Sequence, residues 1–172
     1  MPTTALVSVE EYLSTSYDPD VEYVDGELVG RNVGEVDHSK LQLKIGSYLD
    51  RMERRGISVY PECRVQMGSK RFRVPDFCVL VGQEPESQII RKPPFLCIEI
   101  LSKDDRAADI QEKIEEYLAF GVKYVWIINH RNRLAYVHTS AGMIKAEGGL
   151  LKTADPEIIV PLATVWPKWT KR

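Results

Sequence analysis

The chain lacks any apolar run long enough to span a bilayer, and its first residues lack the basic start and apolar core of a secretory signal. No membrane partner is expected, and a cytoplasmic location is. Cysteine is sparse. Cys63, Cys78 and Cys97 form no CxxC pair, cannot all pair with one another, and each falls in a stretch that reads as strand. They are expected as small buried hydrophobes in a reducing compartment. Internal repeats, low-complexity tracts and long linkers are also missing. One domain over residues 1–172 is therefore expected, made of an N-terminal helix and hairpin (1–36), a core (37–130) and C-terminal strands (131–172).

A large charge of either sign is absent too. The formal net charge is −2, which by itself says nothing for nucleic acid. Its distribution says more. Between residues 40 and 73, Lys40, Lys44, Arg51, Arg54, Arg55, Arg64, Lys70, Arg71 and Arg73 face only Asp50, Glu53 and Glu62. That stretch is either a local phosphate-contacting surface, with Lys40, Lys44, Arg71 and Arg73 as its candidates, or a solvated helix face and hairpin tip.

What is present is 44% hydrophobic and 28% charged, the balance of a globular chain with a real core. "VSVEEYLST" predicts a short helix with Ser8 as N-cap and Glu11 completing a capping box. "VEYVDGELVG" is a hairpin, because Asp25-Gly26 is a strong two-residue turn between β-prone flanks. "DHSKLQLKIGSYLDRMERRG" is a helix with Leu41, Ile45, Tyr48, Leu49 and Met52 at helical spacing and Gly56 at its end. "ISVYPECRVQM" and "RFRVPDFCVLV" predict two strands joined by a Gly-Ser-Lys turn, and "PPFLCIEIL" a third, central one. "DDRAADIQEKIEEYLAFG" is a second helix and "KYVWIIN" a fourth strand; "RLAYVHTS" and "EIIVPLATVW" read as further strands. The class is α/β (or α+β): helix, three strands, helix, strand around one central mixed sheet, with a hairpin before and strands after.

Two acids stand out in these strands. "RVPDFCVL" places Asp76 at the entrance of an apolar run, and "CIEIL" places Glu99 inside another. If the strands are neighbours, both carboxylates point into one crevice, where they would repel unless one is protonated or a cation binds. Mg²⁺ (or Mn²⁺) is held by one or two carboxylates with water and phosphate oxygens, and the Ile100 carbonyl is a further oxygen at hand. Pairing of each acid with a nearby Arg or Lys explains the same residues, so both readings stand. On the second helix Asp109, Lys113 and Tyr117 recur every four residues as one polar stripe. That helix starts directly after the Glu99 strand, so Lys113 can bring an ammonium to the crevice and stabilise anionic charge there. His38, at the start of the first core helix, is placed either to contact a phosphate or orient water, or to make a local hydrogen bond. His130 and His138 show no ligand spacing, and Trp126, Trp166 and Trp169 read as core or interface aromatics.

"VEYVDGELV", "HSKLQLKIGSYL", "RVPDFCVL", "CIEILS" and "DIQEKIEEYLAFGVKYVWIIN" together resemble the Uma-type restriction endonucleases of the PD-(D/E)XK nuclease superfamily. The resemblance covers most of the chain, and the order of core elements is that superfamily's. It implies that Asp76 and Glu99 are the motif metal ligands. It implies too that an N-terminal acid completes the site, with Glu22 chosen over Glu27 and Glu62. The motif lysine is missing: Leu101 stands in its place. Lys113 is the migrated replacement, with Lys103 a nearer, looser candidate; Tyr117 and Asp109 are support. The expected activity is Mg²⁺-dependent endonucleolytic hydrolysis of DNA phosphodiesters, by a homodimer if both strands are cut. A catalytically inactive member of the fold, binding nucleic acid or protein, is the alternative. A third reading is an assembly protein that uses its C-terminal strands and "VWPKWTKR" as an interface.

Overall fold

The computed structural model describes residues 6–32 and 35–167. The chain opens with α1 (Val9–Ser14), whose N-cap Ser8 accepts a hydrogen bond from the Glu11 N–H. The hairpin β1 (Val21–Val24) and β2 (Glu27–Gly30) follows, then α2 (Val36–Asp50). Next come β3 (Ile57–Pro61), β4 (Val65–Gly68), β5 (Arg71–Arg73), β6 (Phe77–Val81) and β7 (Leu96–Ile100). After α3 (Ala107–Phe120) lie β8 (Tyr124–Asn129), β9 (Leu134–Thr139), β10 (Gly142–Lys145), β11 (Leu150–Lys152), β12 (Ile159–Pro161) and α4 (Leu162–Val165).

The central sheet has the order β10-β9-β8-β7-β6-β3 and is antiparallel except for the parallel pair β7/β8. The helix between β7 and β8 is α3, the crossover that a parallel pair requires. The two helices cover opposite faces. Leu41, Ile45 and Leu49 of α2 pack with Phe77, Val79, Leu96 and Ile98 on one face. Ile114 and Tyr117 of α3 pack with Cys78, Leu80 and Cys97 on the other. Strand residues therefore alternate between two apolar clusters, which is why β7 is apolar on both sides. At Gly46 α2 approaches closely, since a Cβ there would meet the Phe77 ring at 3.1 Å. Gly121 ends α3 in the left-handed region (φ 111) and caps its last carbonyls.

Two expected strands are each broken in two. "ISVYPECRVQM" divides into β3, in the central sheet, and β4, in a small sheet of order β2-β1-β5-β4. "RFRVPDFCVLV" divides in the same way into β5 and β6. The causes are local: Glu62 adopts a positive φ of 50, and Pro75 has no N–H to give a ladder. Cys63 accordingly lies in the break, not in a strand, while Cys78 and Cys97 are buried and opposite one another on β6 and β7. "EIIVPLATVW" is a strand only as far as Pro161 and then turns into α4; β11 and β12 pair with each other as a separate ribbon. Trp126 is fully buried and Trp166 packs against the same core. Trp169, the rest of the expected interface tail at 168–172, and the Arg54 side chain lie outside the described residues.

Candidate active site

The break at Val74–Asp76 brings the small sheet against one end of the central one, and the candidate residues collect there. β6 and β7 run antiparallel with Phe77 opposite Ile98, so Asp76, just before β6, falls beside Glu99 near the end of β7. The Ile100 N–H donates to Asp76 Oδ2 at 2.6 Å and ties the carboxylate across the strand pair. Both acids are buried.

α3 adds the next layer from its polar stripe. The Tyr117 hydroxyl donates to Glu99 Oε1 at 2.6 Å, and one turn earlier Lys113 Nζ stands 3.9 Å from the same oxygen. Burial pushes the Glu99 carboxyl up to about 7; the Lys113 ammonium pulls it down while the charges of Asp76 and Glu22 add to the rise. Burial works against the Lys113 charge, but Glu99 and Glu22 outweigh it and its pKa is raised. Asp109, a further turn towards the helix start, is exposed and lines the crevice mouth.

Glu22 arrives from β1 and is almost wholly buried. Its Oε1 accepts from the Val74 N–H at 3.0 Å and faces Lys113 Nζ at 2.9 Å, and its Oε2 accepts from Arg73 at 2.9 Å. Arg73 in turn donates through Nε to Glu116 at 2.6 Å. Both oxygens of Glu22 are thus committed to chain partners. It holds Lys113 in place and balances one buried cation, Arg73, and one half-buried cation, Lys113.

His38 reaches the site from the other face of the sheet. It lies in the first turn of α2 with Nε2 3.4 Å from Asp76 Oδ2. Burial disfavours its charge, but the hydrogen bond and charge of Asp76 prevail and raise its pKa.

Asp76, Glu99, Lys113, Glu22, Arg73 and His38 line a crevice of about 460 Å³ in which carboxylates outnumber cations. The donor set suits a divalent cation: Glu99 Oε2 takes none of the described hydrogen bonds, and Asp76 Oδ1 has only a 3.5 Å contact with Arg31. Among the described residues no group of three or more His, Cys, Asp or Glu side chains is arranged around one point. A cation on Asp76 and Glu99 would therefore complete its shell with a backbone carbonyl such as that of Ile100, water and substrate oxygens.

Other sequence candidates fall elsewhere. Lys103 is exposed, pairs with Glu35 at 3.4 Å and does not line the crevice. Lys40 is exposed and Lys44 half-buried on α2. Of the two arginines expected to meet nucleic acid, Arg73 is buried and paired with Glu22 and Glu116, and half-buried Arg71 pairs with Asp25 and Glu116. Glu27 lines the crevice, while Glu62 lies 3.5 Å from Arg31. Two participants escaped the sequence reading. Arg31 and Glu116 had no spacing signal; only the hairpin register and the packing of β5 on α3 bring them in.

A family model described as "Uma2: Putative restriction endonuclease" matches residues 9–163. The chain belongs to this family. No curated protein matches it. Among solved structures it is similar to a protein from Anabaena variabilis ATCC 29413 described as a "putative nuclease belonging to DUF820". The TM-score is 0.80 at 20% identity, over 93% of this chain and 97% of that one. At that identity the likeness shows the fold, a mixed α/β architecture around one central mixed sheet. In this Uma2 chain Leu101 packs into the apolar cluster beneath α3, and the ammonium nearest Glu99 is that of Lys113.

Proposed function

We propose that the protein is a metal-dependent endonuclease that hydrolyses DNA phosphodiesters. The observation that carries the reading is the buried Asp76–Glu99 pair with Lys113 Nζ 3.9 Å from Glu99, all in one open crevice. Asp76, Glu99 and the Ile100 carbonyl would hold Mg²⁺ or Mn²⁺. Bound there, the ion polarises a phosphoryl oxygen and lowers the pKa of an attacking water. Lys113 stabilises the anionic charge that grows on the phosphate. Glu22 positions Lys113, Tyr117 orients Glu99, and His38 braces Asp76. Exposed Lys40 and half-buried Lys44 on α2 are candidates to position a duplex, and cutting both of its strands makes a twofold homodimer natural.

The test is cleavage of plasmid DNA in Mg²⁺ or Mn²⁺. Asp76→Ala and Glu99→Ala each abolish it while circular dichroism shows the fold intact; cleavage at the wild-type rate in either variant overturns the assignment. The apolar Leu101 and the two-carboxylate donor set favour one second reading, a non-cleaving module that binds nucleic acid or protein. Thermal unfolding separates them, because a cation that binds the native site raises the midpoint by mass action. No shift at millimolar Mn²⁺ selects the binding module.

A further inference from the structure

We infer that Arg31 grips the scissile phosphate, presenting its guanidinium fork to a non-bridging oxygen beside the Asp76–Glu99 pair. This deepens the nuclease reading above and rests on it.

The first ground is which crevice cations have donors to spare. Arg73 is buried and committed to Glu22 and Glu116. Lys113 is held by Glu22 at 2.9 Å. Arg31 differs. Its described contacts, to Asp76 Oδ1 and to Glu62 Oε1, are both 3.5 Å long, at the outer limit of a hydrogen bond. A guanidinium carries five N–H donors in one plane, so most of its capacity is uncommitted among the described residues. Its side chain is 18% exposed, sheltered enough to strengthen a charge-assisted bond and open enough to admit a ligand.

Position is the second ground. Arg31 follows directly on β2, whose Gly30 pairs with Val21 of β1, next to the Glu22 that holds Lys113. One hairpin thus fixes both the lysine clamp and the point where Arg31 leaves the sheet. Since the guanidinium lies against Asp76, an anion drawn to a cation on Asp76 and Glu99 arrives within its reach. The cation competes with Arg31 for Asp76, and the phosphate replaces the carboxylate as partner of the fork, for which the planar guanidinium is matched. Glu62, 53% exposed, is a weak tether on the other side and yields easily.

The experiment measures anisotropy of fluorescein-labelled duplex DNA across a salt series, with Ca²⁺ replacing Mg²⁺ so that the strand is held uncut. Wild type, Arg31→Ala and Arg31→Lys are compared, with thermal unfolding to show that all are folded and wild-type plasmid cleavage in Mn²⁺ run alongside. Loss of one phosphate contact weakens binding about tenfold and lowers the salt slope by about one in Arg31→Ala. Arg31→Lys keeps the slope but recovers only part of the affinity, having a point charge in place of a fork. If the wild type cuts and binds while Arg31→Ala keeps its affinity and slope, Arg31 is merely a partner of Asp76 and the inference is overturned with the nuclease reading intact. A wild type that neither cuts nor binds overturns that reading, and the inference with it.

Discussion

The Tyr117 hydroxyl donates to Glu99 Oε1 at 2.6 Å, so the most perturbed carboxyl of the crevice keeps its place through a neutral donor as well as through Lys113. Burial, the largest influence, carries Glu99 to about 7 from an ordinary 4.5. Over that interval the folded protein retains a proton that the unfolded chain has released, so stability falls as pH rises. The favourable share is complete below about pH 4.5 and lost by about pH 7. Thermal midpoints of metal-free protein between pH 5 and pH 8 should therefore decline more steeply for wild type than for Glu99→Gln. The difference is on the order of 2 kcal/mol, several degrees for a chain of this length. Parallel curves for the two proteins would show that Glu99 does not titrate in this window.

Glu22 is the acid whose loss should cost most in stability. It balances Arg73 and Lys113 in a buried setting, and removing one partner of such a network leaves uncompensated charge. Glu22→Ala is expected to destabilise by about 3–5 kcal/mol in urea unfolding. Glu22→Gln, which preserves shape and the bond from the Val74 N–H, should lose about half as much. A double-mutant cycle of Glu22→Gln with Lys113→Met measures their coupling, expected above about 1 kcal/mol. Strict additivity would mean that Lys113 is positioned by something else.

The core elements were legible in sequence because each has its own period: the Leu41–Ile45–Leu49 face of α2, the polar stripe of α3, the apolar runs of β6 to β8. The pairing of Asp76 with Glu99 was legible for a related reason, since two acids in apolar strands need a partner whatever the fold. The split of each expected long strand was not. Pro61-Glu62 and Pro75 weaken a ladder locally, but only tertiary pairing shows that the halves belong to different sheets. The same blindness hid Arg31 and Glu116 and left the ion pairs of Arg71 and Arg73 unseen. A charge count along the chain cannot see that β5 lays these arginines against the acids of α3.

The proposed mechanism assigns the catalytic charge to Lys113 because of its distance to Glu99. Lys113 Nζ is 3.9 Å from Glu99, whereas Lys103, closer to the motif in sequence, points to Glu35 at 3.4 Å with 59% of its side chain exposed. Lys113→Met removes a charge aimed at the developing anion and should lower the cleavage rate about 10²–10³-fold in Mn²⁺. Metal binding should survive, since Asp76 and Glu99 remain; loss of the ammonium that lowers the Glu99 pKa leaves that carboxyl more readily protonated and weakens binding at neutral and lower pH, not at alkaline pH. Lys103→Ala should leave both rate and metal affinity unchanged. Single-turnover cleavage with calorimetric Mn²⁺ titration of both variants separates the two roles. A larger loss of rate in Lys103→Ala than in Lys113→Met would return the charge to the loop after β7.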